Sequence, residues 1–282
     1  MAYRGPHMPT LPRSGPALSI ANFEASLSGQ RLSCDLRQLR FIDAYGLVGT
    51  ACAMRAAGEV ELLVPTAANA CSHLSAMGFR DFLSSTRGRC ELPVVSTADA
   101  PDVVVPLRST SDSDGAQALS NLLWEQLRDH VAPQVLQAMT EGVWEMVANA
   151  LEHSGTDALI MGQAYRAPRG TAPDHDNRVQ LVIGDTGRGI RESFLTTSVH
   201  TPTTDREAVS LALEYLVSSV ADDPGRGQGL STTMEQVVET QGRMVVRSGT
   251  ARVSISEEGR VEELVAFLPG VIVALSLPLY PG

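Results

Sequence analysis

The chain contains no lysine; all 22 of its basic residues are arginine. That removes lysine from every catalytic role and rules out a Walker G-x-x-x-x-G-K-[ST] loop. Any cation that touches a phosphate must then be a guanidinium, a planar fork suited to bidentate oxygen recognition. Cysteine is sparse as well: Cys34, Cys52, Cys71 and Cys90 include no C-x-x-C pair and have no histidine pairs nearby. This spacing suggests apolar thiols in a reducing cytoplasm rather than a metal site or a disulfide framework. No stretch reaches the roughly 18 uninterrupted apolar residues of a membrane span, because Leu264 to Leu279 is broken by Pro269, Gly270 and Pro278. Residues 1–16 are rich in Pro and Gly and lack an apolar core, so they are expected to form a disordered leader rather than a secretion signal. Excess positive charge is also missing. The formal net charge is −10, which disfavours nucleic acid as a partner and leaves a cytoplasmic protein with no membrane association as the expectation.

At 282 residues, 43% hydrophobic and 19% charged, the chain has the composition of a globular protein with room for about two domains. Its charge is uneven. Residues 1–112 hold 10 Arg and 10 acids, whereas residues 113–282 hold 12 Arg and 22 acids, which places a composition break near residue 110.

In the first part, Arg40-Phe-Ile-Asp43 resembles the end of a buried strand and Gly46 to Ala57 a helix of small apolar residues. Val60 to Val64 suits a second strand closed by Pro65, and Thr66 to Met77 a helix stopped by Gly78. Alternating strands and helices predict an α/β unit with a parallel component. Asp35 to Leu47, Leu63-Val-Pro65 and Met77-Gly-Phe79 together resemble the STAS domain of anti-sigma-factor antagonists, over about residues 17–95. The domain expected here is therefore a STAS-like regulatory module over 17–100. The family's phosphorylated serine falls within an Asp-Ser-Ser-Gly-Leu motif. Here Ala44 and Tyr45 occupy the two serine positions, so the usual acceptor is missing and only Asp43 as a helix cap and Gly46 as a packing residue remain.

In the second part, residues 113–129 and 133–153 both carry apolar residues at three- and four-residue spacing and predict amphipathic helices. Strands are expected at Ala158 to Ala164, Arg178 to Gly184, Gly242 to Arg247, Ala251 to Ser256 and Val271 to Leu277. Alternation within them suggests an antiparallel or mixed sheet with one face packed. On the second helix Glu145, Asn149 and His153 are spaced by four, each offset by about 40°, and so form one polar row. His153 precedes Ser154-Gly155, so a contact with the helix terminus competes with a site role there. Asp185-Thr-Gly187-Arg-Gly189-Ile190 puts a carboxylate at a strand end, followed by two glycines that free the backbone. Gly225-Arg226-Gly227-Gln-Gly229-Leu230 is a glycine loop feeding a helix, whose unpaired N–H groups favour an anion. Arg188 and Arg226 are candidate phosphate contacts.

These three motifs in this order resemble the GHKL ATPase superfamily of gyrase, heat-shock chaperone, histidine kinase and MutL, over residues 113–282. The resemblance implies a Bergerat α/β sandwich with a mixed sheet and one helical layer, so that the whole chain is α/β plus α+β. It also implies ATP and Mg²⁺ as cofactors. Glu145 would be the general base, Asn149 the Mg²⁺ ligand and Asp185 the acceptor of the adenine amine. His153, Gly187, Gly189, Gly225, Arg226, Gly227, Gly229 and Leu230 would complete the nucleotide site, under a mobile lid within 191–224. Gly270-Val271 lacks the hydroxyl of the family's Gly-Thr. Gyrase and MutL relatives need a lysine, and sensor kinases need a phosphoaccepting helix pair. The anti-sigma-factor serine kinase branch is the closest in pattern. Three activities stay open: a serine/threonine protein kinase acting on a partner, a slow ATPase switch, and an ATP-dependent binding module. The implied partner is a STAS-type antagonist or a sigma factor, and a homodimer is compatible with the pattern.

Overall fold

The computed structural model describes residues 31–37, 39, 42–57, 59–87, 90–96, 100–166, 177–197, 200–214 and 229–279. The leader and the first two glycines of the third motif lie outside them.

A five-stranded sheet organises the chain. Its strands are β3 (Val103–Thr110), β4 (Ala158–Tyr165), β5 (Arg178–Gly184), β6 (Arg243–Ser256) and β7 (Gly259–Pro278), in the order β3-β4-β5-β7-β6. All four pairings are antiparallel, so the sheet is not mixed as expected. The physical reason is the β6–β7 hairpin. The two strands expected at 242–247 and 251–256 are one long strand with irregular register around Gly249, turning directly into β7. A smaller parallel pair, β1 (Arg31–Asp35) with β2 (Glu59–Leu63), precedes it. Residues 42 and 43, where a strand end was expected, are not in a strand, and Asp43 instead accepts from the Gly46 amide as the cap of the next helix.

One face of the sheet carries α4 (Ser113–Leu127), α5 (Pro133–Asn149) and α8 (Gly229–Glu239). Their apolar stripes, among them Leu119, Leu123, Met139, Val143 and Val237, meet the odd-numbered residues Val179, Leu181 and Ile183 of β5 and Val273, Leu275 and Leu277 of β7. Asp112 caps α4 by accepting from the Gly115 amide. Gly142 lets α5 come close to α8 and β7, since a Cβ there would lie 3.0 Å from Leu275 and 3.2 Å from Thr233.

The other face is covered too. Here α1 (Ala44–Ala56), 13 residues buried almost throughout, lies across β4, β5 and β7. Leu47, Val48, Ala51 and Cys52 share a core with Leu159, Met161, Val182, Ile272 and Ala274, the alternate residues of the same strands. The helices of residues 113–282 thus form the one layer expected, and the face expected to be less packed is covered by α1 from the N-terminal part. Polar bonds seat the helix as well. The Tyr165 hydroxyl of β4 accepts from the Ala44 amide at 3.0 Å, one of the first-turn N–H groups that a helix leaves unpaired. Beside α1, α2 (Ala68–Ala76) and α3 (Phe79–Arg87) close the N-terminal core, with Leu107 of β3 donating its N–H to Met77.

Candidate functional site

The site begins where β5 ends. The Asp185 amide donates to Val271 O at 2.9 Å, carrying the β5–β7 pairing one residue past Gly184. The side chain then turns back, and Oδ1 accepts from the Gly187 amide at 2.8 Å. Asp185 is only 6% exposed. Burial pushes its carboxyl up to about 6, while the Gly187 and Val271 amides pull it down.

Backbone geometry around this acid depends on glycine at two places. Gly270 has φ +80°, and a Cβ there would lie 2.1 Å from the Asp185 carbonyl oxygen. Gly189, with φ +77°, opens α6 (Gly189–Thr197), and a Cβ there would come within 3.0 Å of Ser248 Oγ. Ser248, 3% exposed, accepts from the Ile190 amide at 2.9 Å and donates to Gly270 O at 3.2 Å. One hydroxyl thus holds the first turn of α6, β6 and β7 together around Asp185. Neither Ser248 nor this role of Gly270 is evident from the motifs. The available signal is that the expected strands 242–247 and 251–256 are interrupted at Ser248-Gly249, opposite Pro269-Gly270.

The first motif lies on α5. Glu145 is exposed and Asn149, the last α-helical residue, is half-buried; four residues apart in regular helix, they occupy one face. The row does not continue with α-helical spacing. Residues 150–154 wind as a π turn, which advances fewer degrees per residue, before Gly155 ends the helix at φ +66°. His153 lies in that turn, and its side chain is outside the described residues. Of the second motif, Gly187 is half-buried and Arg188 is exposed, donating to Thr196 Oγ1 at 3.2 Å. Of the third motif, Gly225, Arg226 and Gly227 lie outside the described residues. Gly229 begins α8, whose first turn contains no acid, and Leu230 packs half-buried against the core.

The elements that carry these residues adjoin one another. α6 packs on the π turn, α5 crosses β5 and β7, and α8 lies beside α5, where Gln236 Nε2 donates to Glu141 Oε2 at 2.6 Å. The segment expected to be a mobile lid is partly anchored. α7 (Asp205–Ala212) is pinned by Asp205 Oδ2, which accepts from both the amide and the hydroxyl of Thr250 at 2.8 Å. Ala208 and Val209 are buried in the main core. Any closing motion thus falls outside α7.

No cluster of three or more His, Cys, Asp or Glu side chains fit for a metal occurs among the described residues. No helix among them is long and apolar enough to cross a membrane.

No family model and no curated protein matches the chain. Among solved structures, the crystal structure of full-length ShkA in complex with AMPPNP aligns over 76% of this chain and 37% of that one, with a TM-score of 0.32 and 13% identity. The alignment spans little more than a third of the ShkA chain.

Proposed function

We propose that the chain binds ATP with Mg²⁺ and acts as an anti-sigma-type serine/threonine kinase or partner-switching regulator. The observation that carries this reading is Asp185, a buried carboxyl at the end of β5 with Oδ1 held by the Gly187 amide. An ionised Oδ2 accepts from an exocyclic amine, as adenine offers, and is repelled by the carbonyl that guanine has at that position. Gly270 and Gly189 keep side chains away from the acid, leaving the backbone to border a flat ring. Phosphates would lie at the start of α8, whose free N–H groups and positive dipole end favour anions.

Asn149 suits Mg²⁺ in this arrangement. The ion takes few protein oxygens and completes its octahedron with water and phosphate. When bound, it would neutralise charge on the triphosphate. Glu145, one turn earlier on the exposed face of α5, would accept the proton of the attacking hydroxyl or water.

The position of Tyr45 favours a separate protein substrate. It stands where STAS domains carry their acceptor, yet it is fully buried under the sheet. Its hydroxyl meets Arg247 and is held above its ordinary pKa by burial. Phosphoryl transfer to this position within the chain is closed in this arrangement.

The test is incubation with labelled ATP and Mg²⁺, following free phosphate and protein-bound label, beside Glu145→Ala and Asp185→Asn. Label on a STAS-type partner that is lost in Glu145→Ala supports the kinase. Free phosphate without label makes the chain an ATPase, and failure of the wild type to bind adenine nucleotide sinks the reading.

A further inference from the structure

A second concavity lies away from Asp185, where the N-terminal elements meet the β3 edge of the sheet. Its volume is about 940 Å³, near the top of the range of small-molecule sites. Three arginines from three elements line it: Arg55 in the last turn of α1, Arg80 on α3 and Arg108 on β3. Among the described residues none of the three has a carboxylate partner within ion-pair distance. Among the described residues Asp81 is the single acid on the wall, and Phe82, Val94 and Leu122 add apolar surface.

Two of these cations are held in place, Arg80 by a part-buried bond and Arg55 by bonds open to solvent. Arg55 donates through Nη1 to Asp157 O at 3.3 Å and through Nη2 to Ser109 Oγ at 3.0 Å, with its guanidinium 5.9 Å from the centre of the Phe82 ring. The Asp157 carboxylate is satisfied one hydroxyl away, accepting from Ser109 at 2.9 Å. Arg80 donates through Nε to Leu92 O at 3.1 Å. Each guanidinium has five N–H donors, so both keep spare donors after these bonds. Arg108 is exposed and makes no hydrogen bond among the described residues.

We propose that this cleft binds a small organic anion, a carboxylate or phosphate on an apolar body. Guanidiniums from three elements around one cleft keep N–H donors that the protein does not use, and an anion there accepts from them in charge-assisted hydrogen bonds. Because Arg55 and Arg80 are fixed by neutral acceptors, little side-chain entropy is lost on binding. The arginines come from α1, α3 and β3, so the ligand bridges the N-terminal elements and the sheet. The local excess of positive charge stands against a chain of net charge −10, and it favours acidic ligands in this cleft.

The experiment titrates the full chain by calorimetry with 3-phenylpropionate, 3-phenylpropyl phosphate and the neutral 3-phenylpropanamide, each with and without saturating ADP and Mg²⁺. At least one anion binds, the amide binds about tenfold more weakly or worse, and ADP changes neither result. Which anion binds more tightly identifies the headgroup. Arg108→Glu and, independently, Val94→Glu on the exposed rim weaken the anions by about tenfold or more and leave the amide unchanged. The proposal is overturned if no probe binds, if the amide matches the anions, if ADP displaces them, or if both variants bind like the wild type. Since ADP only reports competition, the result stands apart from the nucleotide reading.

Discussion

Asp185 carries its proton to a higher pH than an ordinary carboxyl, and this has two measurable effects. Its folded-state pKa of about 6 lies above the usual 3.8. The unfolded chain therefore gives up this proton more readily than the folded one. The stability contributed by this group is fully present below about pH 4 and lost as pH rises through about 6, a change on the order of 3 kcal/mol. Urea unfolding of Asp185→Asn across this window should show a flatter pH dependence than the wild type. Nucleotide binding should run the other way. An ionised Asp185 is the acceptor, so adenine nucleotide affinity should rise through pH 6 in the wild type, while Asp185→Asn binds about tenfold or more weakly and shows no such rise. An affinity that is level across this range in the wild type would refute the role given to Asp185. Gly270 makes a separate prediction. Gly270→Ala puts a methyl group into the Asp185 carbonyl at a left-handed φ. Nucleotide affinity should fall at least as far as in Asp185→Asn, because the β7 backbone must move to accommodate it.

At the level of elements, α1 and β5 are in close contact between the N-terminal part and the sheet. Gly184 immediately precedes Asp185, and a Cβ on it would lie 2.9 Å from both Cys52 Sγ and Val48 Cγ1. Gly184→Ala should cost about 1–3 kcal/mol as a fall in the urea midpoint. Adding Cys52→Ala should recover part of this loss, and its failure to do so would place the strain elsewhere. The same contact explains what the sequence could and could not reveal. β5 was legible to the residue, as was α4 nearly so, because their periods and boundaries are local properties. The partner of Val182 and Gly184 was not legible, since alternation reports that a residue is buried but not which distant helix buries it. The break in the hairpin at Ser248-Gly249 was legible as an interruption between two strands. Its meaning, a hydroxyl bracing the turn that holds Asp185, depends on the β6–β7 pairing and on α6, which no local pattern encodes. The row Glu145, Asn149, His153 failed at its last member because helical arithmetic assumes α spacing, and the helix changes its winding at Ala150.

For the whole molecule, covering both sheet faces ties the N-terminal elements to the integrity of the rest. Leu159, Met161, Val182, Val245, Ile272 and Ala274 are buried by the core that includes α1. A chain lacking residues 1–99 should expose this apolar surface, binding an anilinonaphthalene dye strongly and eluting as aggregates in size-exclusion chromatography. A monodisperse, dye-silent product would mean that the sheet tolerates an open face.

The order of synthesis gives α1 a further peculiarity. The helix leaves the ribosome early, yet the strand that completes its bed, β7, runs to Pro278. At ordinary translation speeds, roughly ten to forty seconds pass before that bed is complete. Its many small residues, Ala44, Gly46, Gly49, Ala51, Cys52 and Ala53 among them, limit the burden over such an interval, where a full row of large aliphatic or aromatic side chains would invite the wrong neighbours.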